Sequence, residues 1–249
     1  MSSICKSARS YEPHFIPQEM EVFMDLEHFL KIHAIHMALD GICFTAEGFL
    51  KPLPGSVPDK IQRLYLAQHD NGFLRCFRED LPAHIRQRLV QLHTEQILND
   101  PETIKTLLAE DAPCEAIWQG KSYLFPNTLT PEDFPDVVQL DATYQPQFEQ
   151  FSPGEALSPW PMFAIIANGR IVSICQSSQE NASAAEAWVR TLPDFRRRGY
   201  ARQVTAAWAY QLQQRGIIPF YSHKWDNTPS EAVARSLQLT PYANEVGYF

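Results

Sequence analysis

The sequence predicts an α/β protein of the α+β type, and three observations support that prediction. An Asn-Gly pair at residues 168–169 separates two apolar runs, which is the strongest short signal of a β-hairpin. A strand-like run over residues 186–191 leads through an arginine-rich turn into a helical pattern over residues 200–215. Helical patterns are commoner near the N-terminus, so we expect a mostly helical or α+β module of residues 1–112 before a second domain of residues 113–249.

Helical patterns dominate the N-terminal part of the sequence. Apolar residues recur at helical spacing over residues 21–39 and again over residues 82–98. A proline at the first helical position and a glutamate in the first turn predict a further short helix over residues 101–108. Residues 51–58 hold three prolines and one glycine, which predicts a loop, and residues 73–77 form a short strand pattern.

Strand patterns become frequent after residue 112. Two apolar runs on either side of residues 119–121 predict a hairpin, and residues 162–167 and 170–175 predict a second one. The stretch 126–159 between the two hairpins is rich in proline and acidic residues. Together these patterns predict a β-sheet in the second domain.

The helical pattern over residues 200–215 is strongly amphipathic. Its apolar face repeats every four residues, at Tyr200, Val204, Trp208 and Leu212. One face of this helix is therefore expected to pack on a sheet, and Gly216 follows as its C-terminal cap. Residues 219–225 then predict a strand, residues 230–239 a helix and residues 241–249 a last strand.

Composition narrows the class of protein. A formal net charge of −8 over 249 residues argues against a general nucleic-acid binder, which is usually basic, and is compatible with a cationic partner. The five cysteines are scattered without a CxxC pair, which predicts free thiols in a reducing compartment. The sequence has no run of about 18 apolar residues that would span a membrane. We therefore expect a cytoplasmic protein without nucleic-acid or membrane partners.

The turn between residues 191 and 200 is the most informative segment of the chain. A helix N-terminus leaves backbone N–H groups unpaired and carries about half a positive charge. Gly199 and Ala201 keep side chains away from that end, so an anion can approach the backbone closely. Positive charge is added around it by Arg196, Arg197, Arg198 and Arg202. This arrangement predicts the capture of a pyrophosphate-bearing cofactor.

The order of these motifs resembles the GNAT family of N-acetyltransferases. The family signature Arg/Gln-x-x-Gly-x-Gly/Ala is matched by Arg196, Gly199 and Ala201. The strand, Asn227 and helix that follow match the second cofactor-side element of the family. Within the family the pattern looks most like the zwittermicin-resistance-type acetyltransferases. The resemblance covers about residues 115–249 and implies a mixed, mainly antiparallel GNAT sheet with flanking helices.

The resemblance implies acetyl-CoA as co-substrate and no metal. The residues implied to bind it are Val189, Thr191, Arg196, Arg197, Arg198, Gly199, Tyr200, Ala201, Arg202, Asn227 and Ser230. Backbone N–H groups of residues 197–202 would hold the pyrophosphate, and the N–H of Val189 would polarise the thioester carbonyl. Thr191 would line the pantetheine arm, and Asn227 would bind its amides. Arg197 stands where the family often has glycine, so its side chain is expected to point away.

Acetyl transfer to an amine needs a base that takes the amine proton. Glu186 is the predicted base, because family members commonly carry a glutamate near this point, although some place it where this chain has Ala185. The tyrosine that many members use as acid corresponds to Ala234. We therefore expect Ser230 to hydrogen-bond the sulfur, and His223 is a third catalytic candidate. Other candidates for the acid are Tyr221, Tyr242 and Tyr248.

The predicted acceptor is a small-molecule amine, and the acidic net charge fits a cationic one. Protein or peptide amines stay an alternative. The rival from another class is a non-catalytic acyl-CoA-binding or regulatory module, which the absent tyrosine supports.

Overall fold

The structure is a computed structural model that describes residues 24–57, 60–70 and 72–249. Within them the α-helices are α1 Leu26–Met37, α2 Ala83–Gln91, α3 Thr94–Asn99, α4 Pro101–Leu108, α5 Gln145–Phe151, α6 Tyr200–Gln214 and α7 Thr228–Ser236. The strands are β1 Ile42–Phe44, β2 Phe49–Pro52, β3 Leu64–His69, β4 Gly72–Arg78, β5 Ile117–Leu124, β6 Val137–Leu140, β7 Met162–Ala167, β8 Arg170–Glu180, β9 Ala184–Thr191, β10 Ile218–Lys224 and β11 Thr240–Tyr248. The protein is thus a mixed α/β protein in which most strand pairs are antiparallel.

The chain divides into two compact units that alternate along the sequence. The first unit contains residues up to Ser122, His223–Asn227 and Pro241–Phe249. The second unit contains Tyr123–Ser222 and Thr228–Thr240. The sequence predicts one boundary after residue 112, whereas the first unit also takes in most of β5 and the end of the chain.

The first unit is an α+β structure with strands in the order β1-β2-β4-β3-β11-β5. The last strand of the chain, β11, pairs antiparallel with β3 from Asn244↔Gln68 to Tyr248↔Leu64. One apolar cluster joins these strands to α2, α3 and α4, with Ile85, Ile97 and Ile104 fully buried. Its strands outnumber those that the sequence predicts for residues 1–112, so the α+β alternative is the one observed.

Two sequence predictions for the first unit are wrong. The helix predicted over residues 82–98 is broken, because Leu92 is extended and His93 caps a new helix with Gln96. The hairpin predicted at residues 119–121 is the middle of the single strand β5. There Trp225 holds the backbone extended, since its N–H donates to the carbonyl of Gln119 (3.2 Å) and its Nε1 donates to that of Gly120 (2.8 Å).

The second unit has strands in the order β10-β9-β8-β7-β6, with a helix on each face. The predicted hairpin is confirmed: β7 and β8 are antiparallel and joined by Asn168 and Gly169, both with positive φ. The apolar face of α6 packs on one side of the sheet, where the Trp208 Nε1 donates to the Ser177 Oγ (3.1 Å). On the other side α5 contributes Phe148 and Phe151 to a second cluster, together with β7 and β8.

The cysteines differ in part from the prediction. Cys76, Cys114 and Cys175 are free thiols. Burial raises the pKa of the Cys76 thiol to about 12, so it is protonated at neutral pH. Cys43 is disulfide-bonded, so the expectation that all five cysteines are free is wrong.

Gly120→Ala tests the close packing around β5. A Cβ at Gly120 would lie 2.5 Å from the carbonyl oxygen of His223, which is backbone and cannot rotate away. We expect a loss of about 1–3 kcal/mol in the free energy of unfolding, measured by urea denaturation. Gly247→Ala is the control, because its closest atom is the flexible Gln62 Cγ at 2.9 Å. Equal losses in the two variants would contradict the prediction.

Candidate active site

The site begins where two parallel strands separate. β9 and β10 are paired only from Ile218↔Ala184 to Phe220↔Glu186. Beyond Glu186, β9 continues to Thr191 while paired with β8 alone. The backbone of residues 187–191 therefore presents an open strand edge on the β10 side, and such an edge can pair with an extended ligand. The sequence predicts the strand but does not reveal this separation.

The carboxylate of Glu186 lies at the point of separation. Its Oε1 accepts a hydrogen bond from the backbone N–H of Ser222 (2.7 Å) and another from the Ser222 Oγ (2.9 Å). The β9–β10 ladder ends at Phe220, so the backbone N–H of Ser222 has no partner in that ladder. The side chain of Glu186 accepts this N–H instead. Glu186 is half-buried, so its carboxylate is held in place rather than solvated freely.

The side chains of β9 alternate between the two faces of the sheet. Ala185, Ala187 and Val189 belong to or pack against the apolar cluster of α6. Val189 is opposite Cys175 of β8, and the Thr191 Oγ1 shares a hydrogen bond with the Ser173 Oγ (2.7 Å). The side chains of both predicted cofactor residues on β9 are thus used in packing, which leaves the strand backbone to meet a ligand.

The turn after β9 ends in an uncapped helix N-terminus. Arg197 (φ 60°) and Gly199 (φ 76°) both have left-handed backbone conformations, a geometry in which successive N–H groups converge on an anion. No side chain caps α6 at Gly199, and the first hydrogen bond of the turn runs from the Gln203 N–H to the Gly199 carbonyl (3.1 Å). A Cβ at Gly199 would meet nothing within 4 Å, so the space before the helix is open. Ala201 keeps its small side chain in the first turn of α6.

The four arginines of the turn have different partners. Arg196 donates weakly to the carbonyl of Thr191 (3.4 Å), and Arg198 donates to that of Asp194 (3.1 Å). Arg196, Arg197 and Arg198 are exposed, and no carboxylate forms an ion pair with them among the described residues. They can therefore contribute positive charge to a bound phosphate.

Arg202 is engaged within the protein instead. Its guanidinium forms an ion pair with Asp133 (2.8 Å) and donates to the carbonyl oxygens of Asp133 and Ser236 (both 3.2 Å). Hydrogen bonds from the Thr130 backbone and from Arg202 lower the pKa of the Asp133 carboxyl. The sequence predicts that Arg202 binds the cofactor. Because its guanidinium is engaged within the protein, only its backbone is available to a ligand. The ring of Tyr200 likewise packs against the apolar cluster of α6.

The candidate acids are distributed over both units. Tyr221 donates from its hydroxyl to the carbonyl of Ser230 (3.2 Å) in the first turn of α7. Burial raises the pKa of Tyr221, so the phenol stays protonated at neutral pH. In the first unit the hydroxyl of Tyr242 bonds to His36 and that of Tyr248 donates to the carbonyl of Ile97 (2.6 Å).

Two further predicted residues lie in the short segment 223–227 of the first unit. His223 is buried, and its Nδ1 donates to the carbonyl of Lys224 (2.8 Å), which assigns the proton to Nδ1. Asn227 is exposed directly before α7, and its N–H donates to the carbonyl of Lys224 (2.9 Å). The roles predicted for these two residues stay predictions.

Sequence reasoning missed one residue of this site. Ser222 follows the largely apolar first half of β10 and supplies both hydrogen bonds to Glu186. A polar residue in such a strand is a signal, but its partner depends on the register of two strands that are far apart in sequence. Ala234, at the position of the usual family tyrosine, is buried in the cluster of α6.

Comparison with known proteins agrees with this geometry. Residues 159–244 match the family model of the GNAT acetyltransferases, a segment that runs from just before β7 into β11. No curated protein matches the chain. The matched segment contains the open strand edge and the uncapped helix N-terminus, so this part of the chain is similar to GNAT acetyltransferases. The match supports an N-acetyltransferase.

Similar solved structures have low sequence identity. A GNAT-family acetyltransferase from Novosphingobium aromaticivorans is 13% identical, with 89% of this chain and 96% of that chain covered and a TM-score of 0.47. One from Colwellia psychrerythraea is 11% identical, with coverages of 83% and 79% and a TM-score of 0.47. The aminoglycoside acetyltransferase AAC(6')-Iy, in complex with a CoA-based bisubstrate analogue, is 20% identical, with coverages of 41% and 88% and a TM-score of 0.34. Because these TM-scores are below 0.5, the similarity to GNAT acetyltransferases rests on the family model alone.

No cluster of three or more histidine, cysteine or acidic side chains suited to a metal ion occurs in the part of the chain that the structure describes. In the same residues, no helix is both long enough and apolar enough to cross a membrane.

Gly199→Glu tests the helix N-terminus as the pyrophosphate site. A carboxylate there would occupy the open space and repel phosphate, so we expect the Kd for CoA in calorimetric titration to rise at least about tenfold. Gly216→Glu is a matched control at the other end of α6, since Gly216 has φ 71° and equally open space. The two variants carry the same backbone strain and the same charge change. A similar loss of affinity in both would contradict this placement of the site.

Proposed function

We propose that this protein transfers the acetyl group of acetyl-CoA to the amine of a small molecule, by direct attack within a ternary complex. The observation that carries the proposal is the separation of β9 from β10 directly after Glu186. This separation supplies an open strand edge and places the carboxylate of Glu186 at the start of that edge. Five residues past Glu186, β9 ends and the chain leads to the uncapped N-terminus of α6. No other part of the described chain combines these three elements.

The residues at the turn suit a pyrophosphate. Backbone N–H groups of residues 197–202 would hold it, because the helix is uncapped and no Cβ obstructs Gly199. Arg196, Arg197 and Arg198 would supply the charge, since their guanidinium groups have no carboxylate partner among the described residues. The open edge of residues 187–191 would pair with the extended amide-bearing arm, and Asn227 is proposed to bind the amides of that arm.

The chemistry of the transfer follows from the residues beside the open edge. When bound, acetyl-CoA supplies the acetyl group as an activated thioester. Glu186 takes the proton that the amine loses as its nitrogen bonds to the carbonyl carbon, either directly or through a water molecule. The N–H of Val189 is the proposed donor to the negative charge that develops on the carbonyl oxygen. The C–S bond breaks with its electron pair on sulfur.

The leaving thiolate needs at most a weak acid, because a free thiol is itself fairly acidic. Tyr221 is the best-supported donor, because it is protonated at neutral pH and in the same unit as Glu186. Ser230 accepts the Tyr221 hydrogen bond through its carbonyl, and its hydroxyl is a second proposed donor to the sulfur. His223 is the third proposed catalytic residue, and its ring is oriented by the hydrogen bond from Nδ1 to the carbonyl of Lys224 (2.8 Å).

The finer assignments are also proposals. The pattern of motifs supports membership of the zwittermicin-resistance-like subgroup, whose acceptors are small amines. The rival function, an acyl-CoA-binding or regulatory module without catalysis, has one observation in its favour. Ala234 is buried at the position of the usual acid, so that position can donate no proton.

Glu186→Gln tests the proposed base. The amide oxygen of glutamine can still accept both hydrogen bonds from Ser222, so the fold at the site should be kept. We expect kcat for acetyl transfer to fall about 10²–10⁴-fold, with an unchanged Kd for acetyl-CoA. The assay is thiol release across a library of amines.

The control for this variant is Glu155→Gln, which removes an exposed carboxylate elsewhere in the second unit. Activity of Glu186→Gln within a few-fold of wild type would remove Glu186 from the role of base. Tight binding of acetyl-CoA by wild type without thiol release for any amine would favour the rival function.

A further inference from the structure

A row of three side chains runs along the face of β9 that is turned away from α6. Because Ala185, Ala187 and Val189 pack with α6, the alternating residues Glu186, Trp188 and Arg190 project to the other face. Trp188 is 37% exposed, which is unusual for so large an apolar side chain. The row therefore presents a carboxylate, an aromatic ring and a guanidinium group in sequence.

The guanidinium of Arg190 is oriented but not neutralised. Its Nη1 donates to the Oγ of the buried Ser152 (2.9 Å), and its Cζ lies 5.0 Å from the centre of the Phe151 ring. Both partners are neutral, and they belong to the end of α5 and the residue after it. No carboxylate forms an ion pair with Arg190 in the described part of the chain. A guanidinium fixed in this way is suited to bidentate binding of an oxyanion.

A buried side-chain oxygen without a hydrogen-bond donor lies beside this row. Gln176 of β8 is directly opposite Trp188 in the ladder. Its Oε1 is buried and accepts no hydrogen bond from the described residues. Leaving such an acceptor unsatisfied is costly, and rotation of the Gln176 side chain towards Trp188 would let an N–H group of a ligand satisfy it.

We propose that the acceptor is an amine that also carries a carboxylate, and that Arg190 selects it by binding that carboxylate. The inference rests on the proposed function, in which the amine lies at Glu186. The Cα atoms of Glu186 and Arg190 are separated by four strand residues, or about 13 Å. An acceptor of peptide-like length spans this distance, with an apolar or planar middle on Trp188 and an amide N–H directed to Gln176. A second cationic group at Arg190 is disfavoured by like-charge repulsion.

The test uses pairs of acceptors that differ in one group. Each pair is a short peptide of glycine and phenylalanine residues with a free C-terminal carboxylate, and the same peptide as its C-terminal amide. For wild type we expect kcat/KM to be about 10- to 100-fold higher for the acid than for the amide. Arg190→Met should abolish this ratio while leaving kcat/KM for the amide within a few-fold, since methionine keeps the apolar contact with Phe151.

Two further variants separate charge from packing. Arg170→Met, which removes an exposed arginine at the β7–β8 turn, should keep the wild-type ratio. Trp188→Ala should lower kcat/KM for acid and amide alike and leave their ratio unchanged. A ratio near one for wild type, or a ratio that persists in Arg190→Met, would overturn the proposal.

A measurement of acceptor binding in a variant that does not turn over distinguishes failure of this inference from failure of the proposed function. In Glu186→Gln saturated with CoA, the acid should bind about 10- to 100-fold more tightly than the amide by calorimetry, and Arg190→Met should remove the difference. If wild type transfers no acetyl group but this difference is present, the acceptor selection stands and the catalytic proposal fails. Equal binding of acid and amide would overturn the selection whether or not transfer occurs.

Discussion

The candidate site depends on the short pairing between β9 and β10. Three paired residues hold the strands together, and the ladder then ends where the carboxylate of Glu186 accepts the N–H of Ser222. Without that hydrogen bond a backbone donor would lose its partner at the point of separation, which costs about 1–3 kcal/mol when the donor is buried. A single side chain thus stabilises the opening and stands at the point where the chemistry is proposed to occur.

The second unit combines this opening with a helix that serves two purposes. The apolar face of α6 is buried against the sheet, with Trp208 anchored to Ser177, and this packing fixes the direction of the helix. Its N-terminus is left uncapped at Gly199 and points its N–H groups outward. Packing along one face of the helix therefore positions an anion site at its end.

The arginines of the turn show how the same residue type divides between structure and ligand. Arg202 is neutralised by Asp133, so its charge serves to connect α6 with the segment around residue 133. Arg196 and Arg198 have only carbonyl or aromatic partners, and neither they nor Arg197 form an ion pair among the described residues, so all three keep their charge for a ligand. On the opposite face of the sheet, Arg190 is likewise held by neutral groups, and this similarity underlies its proposed role. Charge counts along the sequence do not distinguish these cases.

Local patterns in the sequence determined the β7–β8 hairpin, the strand–turn–helix unit from β9 to α6 and the glycine at its junction, because those features depend on neighbouring residues. Tertiary structure alone decided three other features. They are the end of the β9–β10 ladder, the hydrogen bonds from Ser222 to Glu186, and the pairing of β11 with β3. The continuous strand β5, predicted as a hairpin, likewise depends on hydrogen bonds from the distant Trp225. Each of these features joins residues that are far apart in the chain, so no local pattern in the sequence predicts it.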